Sequence, residues 1–173
     1  ATFVYVDSTE GWINVQETQT SVSGATYMSA TGGTITTSGD FKIHKFTGPG
    51  TFCVSAISNT PANNEVSYIV VGAGAGGGWD RGGGGGAGGF REKKSGVDTY
   101  TASPLNGATP ITVTATAFPI TVGSGGTAGS PGAPTARGGS GGVSTFSTVT
   151  SAGGGGGGTH PEGSGGNGGI PGG

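Results

Sequence analysis

Apolar and polar residues alternate along the first part of the chain in short runs bounded by turn residues. Thr2-Phe-Val-Tyr-Val6 is β-branched and aromatic, Asp7 to Gly11 supplies a turn, and Trp12-Ile-Asn-Val15 resumes the pattern. This predicts a hairpin. Thr34-Ile-Thr-Thr37, the turn Ser38-Gly39-Asp40 and the strictly alternating Phe41-Lys-Ile-His-Lys-Phe46 predict a second pair. Side chains alternate across a strand with a period of two. Phe41, Ile43 and Lys45 therefore share one face, opposite Lys42, His44 and Phe46. Gly48-Pro49-Gly50 is a tight turn. Thr51 to Ile57 follows as a strand, and Val66-Ser-Tyr-Ile-Val-Val71 is the most apolar run of the chain. No segment repeats with a helical period. The expected core is Phe3, Tyr5, Trp12, Ile43, Phe52, Val54, Ile69 and Val71. Residues 1–71 read as an all-β module, a small sandwich or roll.

After Val71 the material changes. Glycine accounts for 43 of 173 residues, and 36 of these fall from Gly72 onward. Average usage is about 7%, so this stretch is roughly five times enriched. Residues 72–173 read as a second, glycine-rich module. Strand-like islands remain at 111–122 and 143–150. Pro119 interrupts the first, which places it at an edge or a bend. Val71, Val122 and Thr150 each lead into a glycine run. Such a run can adopt the three-residue-per-turn extended helix of polyproline II, which has no internal hydrogen bonds. Its N–H and C=O groups must then be satisfied from outside. Neighbouring glycine segments can do this, because only glycine lets backbones approach so closely. The runs Gly82, Gly83, Gly84, Gly85, Gly86 and Gly153, Gly154, Gly155, Gly156, Gly157, Gly158 are accordingly expected to be ordered, extended and packed on other glycine segments. Trp79, Phe90 and Phe146 are expected to wedge them in place. The competing expectation is a flexible linker. Collagen is disfavoured, since Gly129-Ser-Pro-Gly-Ala-Pro134 gives two triplets and Thr135 ends the pattern.

Charge narrows the function classes. Charged residues are 9% and the formal net charge is -2. Disordered chains are usually polar and highly charged, unlike this one. Neither phosphate neutralisation nor a polybasic patch is available, which argues against nucleic acid and anionic membrane as partners. No run approaches the ~18 apolar residues of a membrane span. The chain opens at Ala1, which fits a processed product or a piece of a longer protein, and shows no signal-peptide pattern. Cys53 is the single cysteine, so no disulfide framework exists, and it reads as a buried structural thiol.

Candidate chemistry is thin. Tyr68-Ile-Val-Val-Gly72-Ala-Gly74-Ala-Gly-Gly77 fits G-x-G-x-x-G after a strand, with Glu92 twenty residues past Gly72. A dinucleotide site needs a helix opening at the third glycine. The residues that follow are mostly glycine, each about 1 kcal/mol less favourable than alanine in a helix. No cofactor is expected. His44 and His160 are far apart in sequence, and no group has metal-ligand spacing. The Asp7 and Glu10 pair reads as a solvated hairpin tip. No serine is placed with a histidine and an acid in a recognisable motif. The chain is expected not to be an enzyme, with no catalytic, cofactor or metal residues.

The segments Thr2-Phe-Val-Tyr-Val-Asp7, Gly-Asp-Phe-Lys-Ile-His44 and Phe46-Thr-Gly-Pro-Gly-Thr-Phe52, followed by Tyr68-Ile-Val-Val-Gly-Ala-Gly and the glycine blocks, carry a resemblance. Together they resemble the glycine-rich domain of bacteriophage tail and tail-fibre proteins of marine and cyanobacterial type. The resemblance covers almost the whole chain. It implies a virion structural protein, homo-oligomeric with a trimer favoured, that contacts other tail proteins and a host-surface receptor. No motif fixes a receptor site. Two other classes stay open: a self-assembling extracellular filament or matrix protein, and a glycine-helix module that binds ice or glycans. Ice binding calls for regular rows of threonine, and Thr112, Thr114 and Thr116 form one short row.

Overall fold

A computed structural model describes residues 27–131 and 137–159, together with the backbone of two short strands nearer the start. Those two, β1 (Phe3–Tyr5) and β2 (Trp12–Asn14), pair antiparallel as the first hairpin. The side chains of Phe3, Tyr5 and Trp12 lie outside the described residues.

The remaining strands are β3 (Ser29–Thr31), β4 (Thr34–Ser38), β5 (Phe41–Lys45), β6 (Gly50–Ala56), β7 (Glu65–Val66), β8 (Tyr68–Val71), β9 (Phe90–Lys93), β10 (Ile111–Thr112), β11 (Ala117–Thr121), β12 (Ser144–Phe146) and β13 (Val149–Ser151). One 3-10 turn, Pro61–Asn64, is the only helical element among the described residues. The fold is all-β. Five strands form the main antiparallel sheet in the order β13-β12-β11-β6-β3. The pairs β4–β5, β7–β10 and β8–β9 stand outside it.

Composition changes at residue 71, yet the strand pairing crosses that point repeatedly. β6 pairs with β11, β7 with β10, and β8 with β9. The two modules read from composition therefore share their sheets and one core.

That core is built on alternation. Phe52 and Val54 of β6 face inward, while Cys53 between them is exposed. The expected buried thiol is thus corrected by the parity of its own strand. Phe146 is the aromatic hub, with ring centroids 6.0 Å from Phe52, 5.7 Å from Tyr68 and 6.2 Å from Phe118. These contacts are edge-on or nearly so, the favoured aromatic geometry. β8 packs over β12 and β13. It buries Tyr68 and Val70 and turns Ile69 and Val71 outward, at 58% and 54% exposed. The expectation that Ile69 and Val71 form the core is therefore wrong by one residue. Four consecutive strand residues of similar bulk carry no parity signal. The Tyr68 hydroxyl settles it by donating to the Thr109 carbonyl at 2.5 Å. Ile43 also leaves the predicted core, at 47% exposed. The opposite face of β5 is the inner one, where His44 meets Phe52 edge-on at 5.0 Å.

Both strand islands are subdivided. Residues 111–122 hold β10, a turn closed by the Thr116 N–H on the Thr114 carbonyl at 2.7 Å, and β11. β11 lies inside the main sheet, so of the two places expected for Pro119, an edge or a bend, the edge is excluded. The β12 register begins at Ile120↔Phe146, leaving no β12 residue opposite Pro119. There the missing proline N–H interrupts no β12 pairing. Residues 143–150 form the hairpin β12–β13 rather than one strand, turning at Ser147 with φ of 53°.

Candidate functional site

Every glycine run near the core begins or ends on a strand. β8 continues into segment I (72–78), and segment II (83–89) runs into β9. β11 leads through Val122 to segment III (123–129). Segment IV (138–142) precedes β12, and β13 leads into segment V (152–158). Three strand-to-glycine junctions are legible in the sequence at Val71, Val122 and Thr150. The junctions in the reverse sense, at Phe90 and Ser144, are not.

The segments hydrogen-bond to one another in steps of three residues. From segment I, Gly72, Ala75 and Gly78 donate to Gly89, Gly86 and Gly83 of segment II at 2.8, 3.0 and 2.9 Å. Ala73 and Gly76 donate to Gly142 and Gly139 of segment IV at 3.0 and 2.9 Å. Segment I also accepts. Gly74 and Gly77 receive Gly126 and Gly129 of segment III, and Ala73 and Gly76 receive Gly154 and Gly157 of segment V. Around that central segment the neighbours are bonded too. Gly83, Gly86 and Gly89 donate to Gly158, Gly155 and Ala152, and Gly138 and Gly141 donate to Gly157 and Gly154. Segment IV closes on segment III through Gly139 to Thr127 and Gly142 to Ser124. A period of three is that of the extended left-handed helix, whose backbone groups all point outward.

Glycine is required here for its missing side chain, not for its backbone freedom. No glycine of the five segments has a φ in the left-handed region; those that do are Gly32, Gly33 and Gly39 in loops. A Cβ on Gly82, Gly85 or Gly88 would fall on the carbonyl oxygen of Gly158, Ala75 or Gly72 respectively. A Cβ on Gly153 or Gly156 would strike segment IV, and one on Gly154 or Gly157 would strike segment II. Gly84 differs, with open space where its Cβ would be, and Gly83 has only ordinary contact at 3.6 Å. In segment II the requirement therefore follows the period of three and not membership of a glycine block, whereas segment I carries Ala75 between the required Gly72 and Gly78 and Ala73 three residues before the required Gly76. Ala73, Ala75, Ala87, Ser124, Thr127, Ala128, Ser140 and Ala152 interrupt the segments; Ala73 and Ala75 of segment I are half-buried and the others are exposed.

Segment I is antiparallel to segment II, and a turn of Trp79, Asp80 and Arg81 joins them at the end far from the sheets. Segment III ends, segment IV begins and segment V ends at that same end. Asp80 and Arg81 have φ of 45° and 58°. Such values are uncommon for residues with a Cβ. Their ion pair spans 3.5 Å with both side chains open to water, so it contributes little. Trp79, expected to wedge the glycine runs, is 46% exposed. At the sheet end Phe90 is half-buried and Phe146 is buried.

Polar groups elsewhere hold loops. The buried Glu92 carboxylate accepts the Ser103 N–H at 3.2 Å and its hydroxyl, while the Glu92 carbonyl receives Ala108 at 3.0 Å. Ser67 donates to Asp98 and accepts the Ser95 N–H at 2.8 Å. Burial pushes the Tyr68 phenol above its ordinary pKa, with the Arg91 guanidinium pulling the other way. His44 Nδ1 lies 2.9 Å from the Gly32 carbonyl. His160, Asp7 and Glu10 lie outside the described residues. Gly72 to Gly77 enter segment I and not a helix, so no helix N-terminus faces a pyrophosphate. Among the described residues no three His, Cys, Asp or Glu side chains cluster as metal ligands. A shallow groove of about 350 Å³ between Gly32 and Thr51 has Lys45 as its one charged lining residue. No helix among the described residues is long and apolar enough to cross a membrane.

No curated protein and no solved structure matches the chain. Residues 47–173 match the family model described as a glycine-rich domain, a span running from the turn before β6 through all five glycine segments. The chain therefore belongs to the glycine-rich domain family.

Proposed function

We propose that the protein is a non-enzymatic structural component of a phage tail or tail fibre, located in the virion, that contributes to attachment at the host surface. The observation that carries this reading is the three-residue hydrogen-bond ladder joining five glycine segments into one body, ending in the exposed turn Trp79 to Arg81. A segment bonded on several sides resists bending, and a stiff stem that displays a short loop suits a spike. Resemblance to tail-fibre glycine-rich domains supports the phage setting. In this reading the chain assembles with itself, three-fold symmetry being favoured, and sits among other tail proteins. The bundle tip faces a host receptor. No cofactor, nucleic acid or inserted membrane segment has a part in it.

The test is immuno-electron microscopy of purified virions with an antibody against this chain. Label on the tail or its fibres is the expected result. Virions free of the chain by mass spectrometry would end the proposal, and open polymers of purified protein in negative stain would favour an extracellular filament.

A further inference from the structure

The turn from Trp79 to Gly82 stands on a base closed by backbone alone. The Gly78 N–H donates to the Gly83 carbonyl at 2.9 Å, and the Gly83 N–H donates to the Gly158 carbonyl at 2.8 Å. A Cβ on Gly78 or Gly82 would fall on the Gly158 carbonyl oxygen. Above this base Asp80 and Arg81 sit side by side at φ of 45° and 58°. Aspartate is enriched several-fold in that region, and arginine is not. The chain holds 43 glycines and uses glycine at the left-handed positions 32, 33 and 39. At this turn, where glycine would carry no strain, it keeps two charged side chains instead. Their ion pair does not explain that choice, being open to water on both sides. Strained non-glycine residues of this kind gather at ligand clamps, where the surroundings over-determine the backbone.

The side chains at this end have a common chemistry. Trp79 offers an indole 46% exposed, and the Asp80 and Arg81 side chains are 56% and 75% exposed. Arg137 is exposed too. It precedes Gly138, where a Cβ would fall on the Gly76 carbonyl, so it lies at the same end of the bundle. A sugar ring presents a face of C–H groups and a rim of hydroxyls. The negative face of an indole attracts the first. A carboxylate accepts from hydroxyls, and guanidinium groups donate to hydroxyls and carboxylates. Two guanidinium groups to one carboxylate favour a sugar that bears negative charge. Stable protein interfaces cover about 800 Å² on each partner and take roughly 20–30 residues a side. Trp79 is the one large apolar side chain among the described residues of the tip, which suits a saccharide and not a protein face.

We propose that Trp79, Asp80 and Arg81, with Arg137 beside them, form a binding site for an acidic surface glycan. Trp79 stacks on the sugar ring, Asp80 accepts its hydroxyls, and Arg81 and Arg137 meet its negative groups. The closed base holds the turn in place before the ligand arrives, so little ordering is needed on binding. One such site is weak alone, and a homo-oligomer presenting several copies adds avidity. The inference rests on the attachment reading, because it names what the tip faces.

The test is binding of the full chain to an array of acidic and neutral bacterial-surface oligosaccharides, with bacterial surface proteins spotted beside them. Three proteins are compared: the unsubstituted chain, Trp79→Ala, and Asp80→Gly with Arg81→Gly. The unsubstituted chain should be retained by acidic oligosaccharides. Trp79→Ala should weaken that retention at least about tenfold, as truncation of an anchoring aromatic does, with the melting temperature unchanged. The double glycine variant should also lose binding, while its melting temperature holds or rises because the strain is relieved. Retention by no oligosaccharide, or by protein spots only, would overturn the proposal. So would undiminished binding by Trp79→Ala, or a lower melting temperature in the double glycine variant, which would assign Asp80 and Arg81 to the fold. Absence of glycan binding beside antibody label on phage tails would strike this inference and leave the attachment reading standing. Glycan binding by a chain missing from virions would do the reverse.

Discussion

Gly157 donates its N–H to the carbonyl oxygen of Gly76 at 2.9 Å, and a Cβ on Gly157 would fall on the carbonyl of Gly83. One residue of segment V thus meets three others: it donates to segment I, accepts from Gly138 of segment IV, and abuts segment II. The same relationship recurs three residues earlier, where Gly154 bonds to Ala73 and abuts Gly86. Side-chain packing gives way here to backbone packing, and substitution should report which positions take part.

Gly84→Ala and Gly85→Ala should differ although the residues are adjacent. A methyl at Gly84 meets nothing, and alanine reduces the entropy of the unfolded chain, so the melting temperature should hold or rise by the equivalent of up to about 1 kcal/mol. A methyl at Gly85 strikes the Ala75 carbonyl, and forcing the backbones apart should cost about 1–3 kcal/mol. Gly156→Ala should behave like Gly85→Ala. Calorimetry of the three variants is the check.

Phe146→Ala should remove the aromatic hub and cost about 3–5 kcal/mol. Ile69→Ala, on the outer face of β8, should stay within about 0.5 kcal/mol. Denaturant unfolding compares them. Equal losses would mean that β8 faces the other way.

Ser103→Ala takes a hydroxyl donor from the buried Glu92 carboxylate and leaves it the Ser103 N–H. Stability should fall by about 1–3 kcal/mol at neutral pH, as for a buried polar group that loses a partner. Glu92→Gln in the same background should recover part of the loss, because a neutral amide needs fewer donors.

Tyr68 has a raised pKa in the folded protein, chiefly from burial. Between the unfolded and folded values the native state holds a proton that the unfolded chain releases. Stability from this group is therefore full below pH ~10 and is lost as pH rises through the folded pKa. Tyr68→Phe should flatten that alkaline decline, seen in melting temperatures taken from pH 8 upward.

Some of this was legible in the sequence, and the physics says which parts. Strict alternation in Phe41 to Phe46 and around Phe52 located β5 and β6, because a period of two has few other meanings. Tyr68-Ile-Val-Val gave a strand without a face, since each of its four residues fits either side. The hairpin at Ser147 was hidden because its turn has no Gly, Asn or Asp, the residues that usually accept a left-handed φ. Glycine blocks pointed to segments I, II and V. Segments III and IV were harder, being interspersed with Ser124, Thr127, Ala128 and Ser140. The readable signal there is glycine at every third position, as at Gly123 and Gly126, not glycine density. Glu92 stood out only as a false ribose ligand, because nothing local predicts that the 103–108 loop will cover it.

The central claim is that glycine segments form a hydrogen-bonded bundle with a period of three. Residue-resolved amide exchange on the intact protein tests it most directly. The account predicts slow exchange at Gly72, Gly76, Gly83, Gly86, Gly126, Gly141, Gly154 and Gly157, and fast exchange at Gly84. Uniformly fast exchange through 72–89 and 152–158, at the rate of a flexible linker, would contradict it.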